Sequence, residues 1–198
     1  MHTVNNATFL AEMQAAGITL QPGSYRLSFG RYEETDRFWT LPWPPQDVAG
    51  LLTFVLSHVA PTTYCDAWRP GGVWHESEPS YTDAVREVLL RGFSIPPEHC
   101  GALRFDRSEA TALTALVLAF SIASWNINDD LCLVPDNHQY IVRLSHHAVL
   151  HVECRVPDLV EPLVAHMASC GWDLPTEVPD PTFKVPSWIS GPGRDTPA

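Results

Sequence analysis

Three runs in the C-terminal half, "DDLCLVP", "QYIVRLS" and "AVLHVECRV", follow one another with only "DNH" and "HH" between them. Strands this short, joined by turns this tight, pair antiparallel with their neighbours, so a three-stranded meander is predicted. Successive side chains in a strand point to opposite faces. His146, Ala148, Leu150, Val152 and Cys154 therefore share one side, and His147, Val149, His151, Glu153 and Arg155 the other. On the preceding strand Tyr140, Val142 and Leu144 alternate with Ile141, Arg143 and Ser145. The apolar sets mark the core face. The opposite face reads as wet, with Arg143, His151, Glu153 and Arg155 in a polar cross-strand ladder at about 0.2–1 kcal/mol per opposed pair.

Three histidines and a glutamate within eight residues also raise a metal or acid/base site. A spacing of i, i+4 suits a shared ion on a helix, but along a strand it separates the Cα atoms of His147 and His151 by about 13 Å. His146 and His147 are placed in the turn, where Asp129 or Asp130 can hold one of them by a structural hydrogen bond. The expectation is therefore no catalytic residue, no metal and no cofactor. The alternative is a metal- or histidine-dependent enzyme using the 145–153 hairpin.

The remaining elements follow from periodicity and stop signals. A short helix is predicted over 5–16, with Phe9, Leu10 and Met13 on one stripe and Gly17 as its stop; "SYRLSFGRY" alternates as an edge strand. Pro45 opens a helix through His58, carrying Leu51, Leu52, Val55 and Val59 on one side. From Pro61 to Pro79 no period survives, and the segment reads as a long loop, a kind that is commonly functional. A helix over 80–90 and a short strand "GALRF" come next. Ser108 is then read as the N-cap of a nearly all-apolar helix over 111–124, taken as the central buried element. Pro157 begins a closing helix whose Leu159, Leu163, Val164 and Met167 face the sheet, and Gly171 ends it. The fold class is α+β, an antiparallel sheet with a C-terminal three-stranded meander packed against about five helices. Residues 1–190 are predicted as a single domain and 191–198 as a flexible tail.

Twelve basic against 23 acidic residues give a net charge of −11, a field that repels phosphate backbones and argues against nucleic-acid binding. The N-terminal stretch "MHTVNNATFLAEMQAAG" lacks the basic start and apolar run of a signal peptide, and "LTALVLAFSIAS" is shorter than a bilayer span. A cytoplasmic protein without membrane contact is expected. Five scattered cysteines with no C-x-x-C pair agree with reduced, mostly packed thiols. Cys65 with Asp66 and His75 lacks the context of a thiol nucleophile, and no phosphate-binding glycine motif occurs. Trp39, Trp43, Trp68 and Trp74 are an aromatic excess in segments read as irregular; most are expected to be core plugs, and an exposed pair would serve as a partner hot spot.

The run "SWNINDDLCLVPDNHQYIVRLSHHAVLHVEC" resembles small acidic bacterial proteins of the polymorphic-toxin immunity type, over residues 124–154. The resemblance implies a binding protein that neutralises a cognate toxin by covering it. Excess negative charge suits a basic partner of the nuclease or deaminase kind. The carboxylates expected to steer that partner are Glu33, Glu34, Asp36, Glu76, Glu78, Asp129, Asp130, Asp136 and Glu153. The partner-binding candidates are Trp68, Trp74, His75, Glu76, Glu78, Asp129, Asp130, His146, His147, His151 and Glu153.

Overall fold

A computed structural model of the chain describes residues 1–22, 26–30, 32–40, 45–60, 63–75, 88, 90–123, 130–145 and 149–175. Among these the strands are β1 (His2–Asn5), β2 (Thr19–Gln21), β3 (Arg26–Ser28), β4 (Asp36–Thr40), β5 (Tyr64–Val73), β6 (Cys100–Asp106), β7 (Leu131–Pro135), β8 (Tyr140–Ser145) and β9 (Val149–Cys154). The helices are α1 (Asn6–Ala15), α2 (Tyr32–Thr35), α3 (Pro45–Val59), α4 (Ala110–Ala123) and α5 (Val160–Ser169). Seven strands form one sheet in the order β1-β6-β5-β7-β8-β9-β4, every pair antiparallel, while β2 and β3 make a separate hairpin. The fold is α+β, and its C-terminal meander is β7–β8–β9 with Val142 opposite both Leu133 and Val152.

Both faces of this sheet are covered. On one, Leu51, Leu52, Val55 and Val59 of α3, Leu113, Leu116 and Val117 of α4, and Val160, Leu163 and Met167 of α5 pack on the apolar side of the meander. On the other, Phe9 and Met13 of α1, Ile18, and Leu27 of the hairpin pack on Trp68, Ala102, Cys132, Val134 and Ile141. Each fully buried aliphatic or aromatic side chain stabilises the fold by roughly 1.5–3 kcal/mol relative to its exposed state. α1 begins as its composition predicts: Asn5 caps it by accepting from the Thr8 N–H at 2.9 Å, and Gly17 follows at φ +76°.

Several expectations are corrected. The apolar helix is not buried all round: Thr111 and Ala115 of α4 face solvent, while Leu113, Leu116 and Val117 pack into the core. Ser108 is not its N-cap; a 3₁₀ turn at Arg107–Glu109 precedes the helix, and Glu109 Oε2 accepts from the Asp106 N–H at 3.0 Å. Within "SYRLSFGRY" the strand among the described residues is Arg26–Ser28, and it belongs to the hairpin and not to the large sheet. Among the described residues the edges of the large sheet are β1, which lies ahead of the predicted helix and had been assigned no element, and β4, which emerges from the aromatic segment before α3. The predicted helix over 80–90, apart from 88 and 90, and the tail over 191–198 lie outside the described residues.

The largest correction concerns the supposed loop. Residues 64–73 are a ten-residue strand paired with both β6 and β7. Its period is hidden because the register breaks between Trp68 and Val73 at Arg69-Pro70-Gly71-Gly72, a bulge in which both glycines take positive φ. A Cβ at Gly72 would stand 2.7 Å from Asn6 Oδ1 and 2.8 Å from the Gly101 nitrogen, so only glycine fits. The bulge sends the two tryptophans to opposite faces. Trp68 enters the α1 side and donates to Asn6 Oδ1 at 2.9 Å, whereas Trp74 enters the three-helix side and donates to the Gly101 carbonyl at 2.9 Å.

Candidate functional site

Strand alternation places Arg143, His151 and Glu153 on one face, as the sequence predicts, and the register sets Arg143 directly opposite His151. That face is not wet. Arg143 and His151 are 4% exposed and Glu153 is 0% exposed, because β3 lies over them. Ser28 Oγ donates to Glu153 Oε1 at 2.8 Å, and the Phe29 N–H donates to the same oxygen at 2.8 Å. Arg143 Nη2 reaches the Leu27 carbonyl at 3.1 Å. The polar ladder is thus a buried clamp between the hairpin and the sheet. Arg155 is not part of it and turns instead to the carbonyls of Ala16 and His138.

The edge strand β4 completes the cluster. Asp36 stands opposite Glu153 and Phe38 opposite His151, whose ring it stacks upon with centroids 4.6 Å apart. Asp36 Oδ2 lies 3.0 Å from His151 Nε2. Arg143 Nη1 is 2.8 Å from His151 Nδ1, and a guanidinium can only donate, so Nδ1 must be the acceptor. The ring is therefore neutral, with its proton on Nε2 facing Asp36. Burial lowers the His151 pKa, assisted by Arg143 and opposed by Asp36. Burial raises the Glu153 pKa, assisted by the neighbouring Asp36 and opposed by Ser28, the Phe29 amide and Arg143.

Each candidate residue can now be placed. Trp68 and Trp74 are 0% exposed and plug the two cores. Asp130, His151 and Glu153 are buried, so with the tryptophans they present no surface to a partner. His75 is half-buried, with Nε2 3.2 Å from the Ile95 carbonyl. Glu76, Glu78, Asp129, His146 and His147 lie outside the described residues. Among the steering carboxylates, Asp36 is buried with Asp130 and Glu153; Asp136 accepts from the Thr63 N–H at 3.0 Å, and Glu34 is exposed. Cys65 is a packed core thiol, and burial pushes its pKa up.

Sequence reasoning missed Asp36 and Ser28 as parts of the cluster, because they meet Glu153 only through tertiary pairing. A second charge group, buried at Asp66 and opening to solvent at Glu12, was also missed. On the α1 side Arg104 forks onto Asp66, Nε to Oδ1 and Nη2 to Oδ2, both at 2.7 Å, and reaches Glu12 Oε2 at 2.6 Å. Its guanidinium lies 4.0 Å from the centroid of the Tyr64 ring. The carboxylates hold the Arg104 pKa up, while burial pushes Asp66 up against the pull of Arg104. Asp66 in a segment dense with Gly and Pro gave no hint of a strand, so nothing marked it as a paired buried acid.

One pH dependence follows directly. Burial holds the pKa of His58, His99, His138 and His151 below the ordinary 6.5. The unfolded chain then takes up protons first as the pH falls, so the stability these rings contribute is present above about pH 6.5 and lost as the pH falls through their folded values. Thermal unfolding midpoints measured between about pH 7 and pH 5 are expected to decrease on acidification.

Among the described residues no group of three or more His, Cys, Asp or Glu side chains is arranged to hold a metal ion, and no helix is long and apolar enough to cross a membrane. The cluster as built couples hairpin to sheet, with its imidazole and one oxygen of each carboxylate engaged inside the fold. Comparison with protein-family models, curated proteins and solved structures finds no match for this chain, so the functional reading rests on its own residues.

Proposed function

We propose that this chain is a non-catalytic acidic binding protein, of immunity or antitoxin type, that neutralises a basic toxin domain by direct binding in the cytoplasm. The observation that carries the reading is where the charges go. Arg69 and Arg143 are buried, Arg104 is tied to Asp66 and Glu12, and Arg155 and Arg37 donate to backbone carbonyls. Glu34, Glu98, Asp106, Asp158, Glu161 and Asp173 are exposed. Among the described arginines Arg26, Arg91 and Arg107 are exposed, half as many as these six carboxylates, so the exposed surface keeps the negative sign of a chain at −11. Since His151 and Glu153 are spent inside the fold, the contact surface in this reading is built from exposed carboxylates. Glu34 and Asp158 belong to neighbouring elements, α2 and the Pro157–Leu159 turn, with Glu161 one turn on.

The test is co-purification with the product of the adjacent gene, followed by titration calorimetry at rising salt. A stoichiometric complex is expected, its affinity falling about tenfold or more between low and physiological ionic strength. Reversing Glu34, Asp158 and Glu161 to lysine is expected to weaken it by at least about tenfold. Absence of a complex, or an affinity indifferent to salt and to those reversals, would refute the reading.

A further inference from the structure

The cluster beneath the hairpin has an unbalanced charge. Asp36 and Glu153 stand side by side on β4 and β9, each with one oxygen engaged: Oδ2 of Asp36 beside His151, and Oε1 of Glu153 bonded to Ser28 and Phe29. The other oxygen of each, Asp36 Oδ1 and Glu153 Oε2, is buried without a hydrogen-bond partner, as are the cluster's donors Arg143 Nε and His151 Nε2. His151 is neutral, because its Nδ1 accepts from Arg143. Two ionised carboxylates against one buried guanidinium would leave a net negative charge in a site largely screened from water, at large desolvation cost. One additional proton removes the imbalance.

We propose that Glu153, beside the Asp36 charge, carries a proton and that this proton latches the β2–β3 hairpin onto the sheet. When it leaves, the two carboxylates repel each other beneath β3 and the hairpin loosens. Among the described residues, the charged and titratable groups around the pair are Arg143 from β8, His151 and Cys154 from β9, and the exposed Arg26 of β3, which acts on His151. Ser28 and the Phe29 amide add donors from the hairpin. Arg155 is directed away, to Ala16 and His138. Burial and the Asp36 charge, which raise the Glu153 pKa from its ordinary 4.5, act in the same sense. A folded value raised above the unfolded one means stability that is full below about pH 4.5 and lost as the pH rises through the folded value. This is opposite in sign to the histidines.

Infrared difference spectroscopy and amide exchange on the full chain, with Glu153→Gln for comparison, test the latch. At about pH 6, where an ordinary glutamate is ionised, the wild type is expected to show a buried carboxylic-acid band that Glu153→Gln lacks. Gln keeps the acceptor for Ser28 and Phe29 and offers its amide N–H toward Asp36, so the variant should fold. Protection of the Arg26–Ser28 amides should fall at least about tenfold between pH 6 and pH 9 in the wild type, beyond the change in intrinsic exchange, and stay level in the variant. The thermal-midpoint loss on acidification should steepen in Glu153→Gln, because the opposing contribution is gone. A wild type without the acid band at pH 6, a band surviving in the variant, or hairpin protection independent of pH would overturn the proposal. Should the variant fail to fold, the wild-type band and its loss on titration decide alone.

Discussion

Arg143→Met is expected to lower the unfolding free energy by about 3–5 kcal/mol, the range for removing one member of a buried charge cluster. The guanidinium is 4% exposed and serves three neighbours at once. Nη1 fills the lone pair of His151 Nδ1, Nη2 satisfies the Leu27 carbonyl, and its charge offsets the carboxylate pair of Asp36 and Glu153. Methionine matches the volume and leaves every one of these groups buried and unmatched. Urea denaturation at neutral pH measures the loss as a shift in midpoint. Arg143→Lys should recover only a fraction, since an ammonium cannot fork to an imidazole and a carbonyl in fixed geometry. The loss should shrink when Asp36→Asn is added, because part of it is uncompensated negative charge. A midpoint within experimental error of wild type for Arg143→Met would remove the clamp from the account of this fold.

Gly101→Ala is expected to cost about 3 kcal/mol or more, through backbone strain and overlap. Gly101 sits at φ +147°, a conformation that side chains rarely adopt. A Cβ there would overlap the Val4 carbonyl oxygen and stand 2.7 Å from the Asn6 nitrogen and 2.8 Å from the Asn5 carbonyl carbon. These are backbone atoms of β1 and the start of α1, fixed by pairing of Asn5 with Gly101 and Val4 with Ala102, so they cannot yield as a side chain would. The edge strand should detach, seen as lost exchange protection at Thr3–Asn5 together with the lower denaturation midpoint. Gly92→Ala, with nothing within 4 Å of the added carbon, is the control and should stay within about 0.5 kcal/mol of wild type.

The two substitutions mark the limits of what local pattern conveys. The meander was legible because β7, β8 and β9 alternate without interruption, and Tyr140, Val142, Leu144, Leu150, Val152 and Cys154 all lie in the helix-side core as their parity predicts. α1, α3 and α5 were legible from apolar stripes and stops. β5 was not, because a strand carrying Asp66, Pro70, Gly71 and Gly72 violates every composition rule for strands. Asp66 is tolerated by its fork with Arg104, which lies 38 residues away, and the glycines by the bulge. The tryptophans flanking that bulge are core plugs, as expected of most of them, but that they fill two different cores is decided by the bulge.

For the candidate site the division falls at the same place. The residue series determined that Arg143, His151 and Glu153 share a face, since that needs only the two-residue period of an extended chain. It could not determine whether the face meets water or protein. That was decided by contacts such as Ser28 Oγ to Glu153, spanning 125 residues, and the Asp36 pairing supplied by a strand from the first quarter of the chain. Periodicity is a property of neighbours along the backbone. Burial is a property of what folds back over them, and here a three-residue strand turned a polar surface into an interior.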